Sequence, residues 1–285
     1  HTMRERRFMQ LDVFATDCYL GNALAVVLDG DDISDEAMQS FARWTNLSET
    51  TFLLPPTQAG ADYRVRIFTP AGELAFAGHP TLGSCQAWLA AGGQPQQKGT
   101  VVQECAKGLI RIERQPQGLA FAAPPLNQES VPAELQQRVM AALQLKSDDL
   151  VAAQWLDNGS RWMGLLMRDV TLLPQAQPDG AALRQLGVKA GLCAIHSPHA
   201  NSEPVLEVRG ITLTAHGIAE DAATGSLNAS LGLWLTAEGH ITLPYRVQQG
   251  AAIARAGRMR LYADAADQLW VQGQVHTAIT GQVQL

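Results

Sequence analysis

Hydrophobic and polar positions alternate in short runs along most of the chain, a pattern that predicts many strands and few helices. Phe8–Phe14 is strand-like, and Ala23–Leu28 (ALAVVL) is a near-continuous apolar run, as in a strand covered on both faces. Together they read as a hairpin with a loop around Asp17–Asn22. Ser34 is then a good N-cap, with Asp35 and Glu36 in the first turn, where the helix dipole favours negative charge. Met38, Phe41, Ala42 and Thr45 recur at helical spacing, which predicts a helix over Asp35–Thr45. Thr50–Leu54 and Tyr63–Phe68 read as strands, followed by a turn at Pro70-Ala71-Gly72. The segment AFAGHPTLGSCQAWLAAGG predicts a helix that starts at Pro80-Thr81 and ends at Gly92-Gly93. Val101–Cys105, Leu109–Glu113 and Leu119–Phe121 are further β-like runs.

Pro124-Pro125 and Pro132 mark a linker, after which the plan repeats. Helices near Ala133–Leu143 and Asp179–Leu186 are interspersed with strands near Val151–Leu156, Trp162–Met167, Leu192–Ile195 and Val205–Val208. HGIAEDAATGSLNASLGLWLTAEG reads as a small-residue turn into a long helix. Runs near Ile241–Gln248, Met259–Tyr262, Leu269–Gln272 and Thr277–Val283 close the chain. Each half therefore has several strands and one long helix entered through a small-residue turn, AGHPTLGS or EDAATGSLNAS. A helix with so little charge is wrapped by sheet rather than laid on a surface. The expected class is α+β, with two related domains, each a sheet curled around a central helix, and a boundary near Ala123–Val131.

A length of 285 residues fits two such domains. With 46% hydrophobic and 17% charged residues, disorder is excluded. The net charge of −6 argues against nucleic acid as a partner, because no basic footprint is present. A membrane partner is not expected either: there is no basic tract and no window near the about 18 apolar residues of a span. The N-terminus lacks an apolar leader, so a cytoplasmic location is expected; His1 and Thr2, ahead of Met3, read as the remnant of an expression tag. Cys18, Cys85, Cys105 and Cys193 form no C-x-x-C pair, so free thiols and no bound metal are expected.

Three constellations can carry chemistry. Glu49, in Asn46-Leu47-Ser48-Glu49-Thr50-Thr51, lies between a predicted helix and a strand. A carboxylate partly buried there has its pKa raised toward that of a working general acid/base; a solvated turn or a cap explains it equally well. His79, in Gly78-His79-Pro80-Thr81, stands before a helix start whose free N–H groups suit an anion; it reads either as a proton carrier or as a turn-orienting ring. Glu220-Asp221-Ala222-Ala223-Thr224-Gly225-Ser226 offers a nest of donors, or an ordinary cap by Asp221 or Thr224. Their equivalent placement in two similar halves predicts two helix starts facing one cleft, a setting for a small carboxylate. No dinucleotide, P-loop, zinc-protease or α/β-hydrolase motif is present, so no cofactor is expected.

The segments NLSET at 46–50, RIFTPAGEL at 66–74, AGHPT at 77–81 and EDAATGS at 220–226 resemble the PhzF-like phenazine biosynthesis family, in order and spacing, over essentially the whole chain. The resemblance implies a diaminopimelate epimerase-like fold of two pseudo-symmetric domains. These are expected at 3–123, with 277–285 returning to it, and at 124–276. It also implies a cofactor-free isomerisation like that of trans-2,3-dihydro-3-hydroxyanthranilate, in a homodimer. Glu49 matches the family's general acid/base, and His79, Asp221 and Ser226 match its other site residues. Gly78 and Gly225 match the glycines that open the backbone to the substrate carboxylate, and Asn22 falls in the matching first hairpin and is expected to bind substrate. The mechanism expected is removal of a carbon-bound proton by Glu49 and redelivery at a second carbon, with His79 and Asp221 positioning substrate. The two-thiol epimerases of this fold carry a Cys in each small-residue turn. Here those turns have none, and Cys85 lies inside the helix. A glutamate-based epimerase and a non-catalytic carboxylate binder remain alternatives. The family pattern is broken at Ala23 and Ala222, which replace Pro, and in Ala254-Arg255-Ala256-Gly257, which replaces G-R-P-S.

Overall fold

Ser34 caps the first helix as its chemistry dictates: its hydroxyl accepts from the Ala37 N–H. A computed structural model describes residues 2–285; His1 lies outside them. The N-terminal half runs β1 (Glu5–Val13), β2 (Asn22–Val27), α1 (Asp35–Thr45), β3 (Glu49–Leu54), β4 (Tyr63–Phe68), β5 (Glu73–Leu74), α2 (Gly78–Ala90), β6 (Thr100–Cys105), β7 (Gly108–Gln115) and β8 (Gly118–Ala122). The C-terminal half runs β9 (Asn127–Ser130), α3 (Ala133–Ala142), β10 (Leu150–Asp157), β11 (Arg161–Met167), α4 (Gly180–Leu186), β12 (Ala190–Ile195), β13 (Val205–Leu213), β14 (Ile218–Asp221), α5 (Gly225–Ala237), β15 (Tyr245–Gln249), β16 (Gly257–Ala263), β17 (Leu269–Gly273) and β18 (Val275–Gln284).

The strand pairing exposes an internal repeat. From the free edge inward, β18, β1, β2, β3, β4, β6, β7 and β8 pair antiparallel, antiparallel, parallel, antiparallel, parallel, antiparallel, antiparallel. From the other edge, β9, β10, β11, β12, β13, β15, β16 and β17 repeat that series step for step. β8 and β17 join the halves antiparallel. This is the diaminopimelate epimerase-like fold.

α2 and α5 occupy corresponding places, each following a short return strand, β5 or β14. Every residue from Gly78 to Cys85 and from Gly225 to Gly232 is buried, so both helices are wrapped on all sides. A core of large side chains from both halves, including Phe14, Phe76, Phe121 and Tyr245, surrounds them. Each such burial contributes about 1.5–3 kcal/mol. α1 instead lies over β3 and β4, where Met38 and Ala42 meet Phe52 and Phe68.

Three expectations are corrected. The Pro-rich linker contains a strand, β9, because its backbone pairs with β10 even though all four of its side chains face solvent. The run from Ile241 becomes a strand only at Tyr245, since Pro244 has no N–H for a ladder. α2 starts at Gly78 rather than at Pro80, so His79 lies inside the first turn. Pro80 is tolerated there because first-turn N–H groups have no intrahelical partner.

Candidate active site

The two central helices meet head to head. A Cβ placed on Gly78 would lie 2.6 Å from the Gly225 Cα, and one on Gly225 would lie 2.8 Å from the Gly78 Cα. Only glycine allows this approach. Neither helix has a side-chain N-cap hydrogen bond, so two sets of unpartnered first-turn N–H groups converge at one junction.

Glu49 reaches this junction because Asn46 ends α1 in the left-handed conformation (φ 56°) and turns the chain into β3. Its Oε2 lies 3.3 Å from His79 Nε2, with the Glu49 side chain 13% exposed and His79 3%. Both atoms are buried and neither has a properly aligned hydrogen-bond partner. Burial first, and the Asp221 charge second, push the Glu49 carboxyl up to about 8; Lys189 opposes them. Burial pushes the His79 imidazolium down to about 4, against the favourable Asp221 charge and Ala23 carbonyl, so the ring is neutral at pH 7. Leaving two buried polar atoms unpaired costs about 1–3 kcal/mol each.

Asp221, the last residue of β14, is held by both halves. Its Oδ1 accepts from Asn22 Nδ2 (2.8 Å) and Ser48 Oγ (3.2 Å), and its Oδ2 from Thr224 Oγ1 (2.6 Å). Thr224 sits at the cap position, but its hydroxyl serves Asp221 and not the helix. Asn22 commits its amide nitrogen to Asp221 and to the Ala223 carbonyl (2.7 Å). Ser226 is buried in the first turn of α5, where its carbonyl accepts from Asn158. Glu49, His79, Asp221, Asn22, Gly78, Gly225 and Ser226 thus converge from five different elements. The two departures at Ala222 and Gly257 also touch: a Cβ on Gly257 would lie 2.9 Å from the Ala222 carbonyl oxygen.

Two residues went unread in the sequence. Gln249 is buried at the end of β15; its amide oxygen accepts from Thr224 N and Asn228 Nδ2, and its nitrogen donates to the Asp221 carbonyl and to Thr224 Oγ1. Its only signal was its place at the end of a β-like run. Lys189, just before β12, contributes charge that opposes the rise at Glu49. The thiols play no part: Cys85 and Cys193 are fully buried and burial pushes both up, Cys85 to about 12.

Asp221→Asn tests the electrostatics. The amide can keep the same neighbours while removing the charge, so the Glu49 titration should move down from about 8, read from the pH dependence of its carboxyl NMR signal. An unmoved titration would mean that burial alone sets it.

The fold places the chain in the diaminopimelate epimerase-like class, and its curated relatives include named isomerases. The family model for phenazine biosynthesis-like proteins (PhzC-PhzF) matches residues 11–282, and the chain belongs to that family. Trans-2,3-dihydro-3-hydroxyanthranilate isomerase of Pseudomonas aeruginosa is 36% identical over 272 residues, covering 91% of each chain. A Schizosaccharomyces pombe protein named antisense-enhancing sequence 1 is 30% identical over 295 residues, covering 98% of this chain and 99% of the relative. A Bacillus anthracis phenazine biosynthesis protein of the PhzF family has a TM-score of 0.80 at 19% identity, over 99% of this chain and 100% of its own. Hydroxyproline epimerase of Agrobacterium vitis has a TM-score of 0.64 at 13% identity, over 100% and 93%. These last two share the fold. Among the described residues no helix is long and apolar enough to cross a membrane.

Proposed function

We propose that this protein is a cofactor-independent isomerase that moves a proton and a double bond on a small cyclic carboxylate, with trans-2,3-dihydro-3-hydroxyanthranilate the first substrate to try. The observation that carries this reading is the buried, unpaired Glu49 Oε2 and His79 Nε2 at the meeting of two uncapped helix starts. The field of two helix starts favours an anion, and a carboxyl raised to about 8 is suited to taking and returning a proton near neutrality. The substrate's name comes from the Pseudomonas aeruginosa relative.

The steps balance without an external oxidant or base. Ionised Glu49 takes a carbon-bound proton, the electron pair shifts along the conjugated system, and the protonated carboxyl delivers the proton to a second carbon. His79, neutral and 3.3 Å from Glu49 Oε2, positions the substrate, and Asp221 orders the wall formed by Ser48, Asn22 and Thr224. The substrate sits between a domain of residues 3–123 with 277–285 and one of 124–276, a division supported by the pairing of β18 with β1.

Mixing the protein with trans-2,3-dihydro-3-hydroxyanthranilate and following the ring protons by NMR tests the reading: bond migration is expected, and an unchanged spectrum overturns the substrate. The pH profile is a second prediction. Because Glu49 must be ionised to act as base, kcat/KM should climb through about pH 8 and then level off. A limb near the ordinary carboxylate range would mean that the base is another group.

A further inference from the structure

Gln249 is a buried polar side chain that the mechanism above leaves without a task. Its hydrogen bonds use both ends of the amide. Oε1 accepts from the Thr224 N–H (3.0 Å) and from Asn228 Nδ2 (3.0 Å), and Nε2 donates to the Asp221 carbonyl (3.2 Å) and to Thr224 Oγ1 (2.8 Å). An amide offers two acceptor lone pairs and two donor protons, so all of them are taken. The bond to Thr224 Oγ1 fixes a direction. A threonine hydroxyl has a single proton; here its oxygen receives one from Gln249, and its own goes to Asp221 Oδ2, 2.6 Å away. The other carboxylate oxygen of Asp221 accepts from Asn22 Nδ2 (2.8 Å) and from Ser48 Oγ (3.2 Å), the neighbour of Glu49. Gln249 thus heads a chain of donors that ends on a carboxylate bonded to the residue beside Glu49.

The internal repeat separates this chain from what the fold itself requires. Leu74 and Asp221 each lie four residues before a central helix, and they pair with Ile67 and Gly210. Four residues earlier on β4 and β13 stand Tyr63 and Leu206, which pair with Gln103 and Val247. Two residues beyond these are Cys105 and Gln249. The counterparts of Asp221, Thr224 and Gln249 are therefore Leu74, Ala77 and Cys105. The N-terminal half builds the same return strand, turn and helix start from these three, and the Cys105 thiol donates within its own hairpin, to the Gly108 carbonyl (3.4 Å). One bond is common to both halves: Thr81 Oγ1 donates to the Ala77 carbonyl, and Asn228 Nδ2 to the Thr224 carbonyl. That bond belongs to the fold, whereas the chain from Gln249 through Thr224 to Asp221 is present on one side alone.

We infer that Gln249 is a positioning residue for the reaction: it aims the Thr224 hydroxyl at Asp221 and so fixes that carboxylate in the wall beside Glu49. This rests on the proposed function and deepens it. Asp221, Lys189 and His79 are the titratable groups around Glu49. A charged Asp221 held in place works against ionisation of Glu49. Once the Thr224 hydroxyl is free to turn away, the negative charge on Asp221 is less well supported and Glu49 releases its proton at lower pH.

The test is the Glu49 carboxyl titration followed by NMR, beside the pH profile of turnover. Gln249→Met keeps the length of the side chain and loses its hydrogen bonds, and the titration should move down by about half a pH unit or more. Thr224→Val removes only the hydroxyl and should give the same shift, while Thr224→Ser keeps the hydroxyl and should titrate as wild type does. The double variant Gln249→Met/Thr224→Val should move no further than either single one, because both act through one hydroxyl. The rising limb of kcat/KM should follow the titration in each protein. Gln249→Leu is the second variant, should the methionine disturb folding, and the same shift is expected. A Gln249 variant that titrates as wild type does, or a double variant whose shift is the sum of the two, overturns the inference. If the shifts appear but dihydro-hydroxyanthranilate is not turned over, the isomerase reading fails and the positioning of Asp221 stands.

Discussion

Glu49→Gln is expected to lower kcat/KM by about 10³-fold while leaving the fold intact. The amide keeps the size of the carboxyl and loses only its ability to take and return a proton. Stability should move the other way, and the sign follows from linkage. The Glu49 pKa is raised in the folded state, from 4.5 to about 8, so the folded protein holds a proton that the unfolded chain has released. Wild-type stability therefore falls as pH rises through that window, and is lowest above pH 8. Glutamine removes this dependence, so at pH 9 the variant should be more stable than wild type, by on the order of a few kcal/mol at most, and should melt at a higher temperature. Rate assays beside thermal melts at pH 5 and pH 9 check both parts. A variant that keeps wild-type rates would remove Glu49 from the chemistry.

Gly78→Ala is the second large effect. Its Cβ would lie within 3 Å of three backbone atoms of Gly225 and Ser226, and backbone cannot step aside as a flexible side chain can. The head-to-head contact of the helices must open, at a cost of about 3 kcal/mol or more, and activity should fall with it. Gly225→Ala should behave alike, since its Cβ meets Gly78. Gly72→Ala, where a Cβ meets nothing within 4 Å, is the control and should melt within about 0.5 kcal/mol of wild type. Denaturant melts of the three variants separate these cases. A Gly78→Ala protein as stable as the control would mean that the helix starts are not in contact.

Much of this architecture is legible in the residues. Ser34 with Asp35 and Glu36 announces α1, and the Ala-, Gly- and Ser-rich composition of α2 and α5 announces helices buried on every side. The twin turns GHPT and DAATGS mark where those helices meet. What was not legible is long-range or polar. β9 is Asn-Gln-Glu-Ser, with no apolar face to betray a strand whose backbone alone is paired. Asp221 looks like a cap in the sequence, and only the folded chain brings Asn22 and Ser48 to it from the other half. Lys189 follows a helix-ending glycine as many surface lysines do. Its charge reaches Glu49 only in the folded chain, because no local pattern relates a glutamate to a lysine 140 residues on.

The central claim is that Glu49 moves a carbon-bound proton on a small carboxylate. Deuterium incorporation tests it most directly: wild type and Glu49→Gln are incubated in D2O with a panel of small cyclic and amino carboxylates that includes dihydro-hydroxyanthranilate, and label is followed by NMR and mass. The account predicts label at a ring carbon with wild type, accompanied by migration of the double bond, and none with Glu49→Gln. Equal labelling by both proteins, or binding without labelling by wild type, would contradict it.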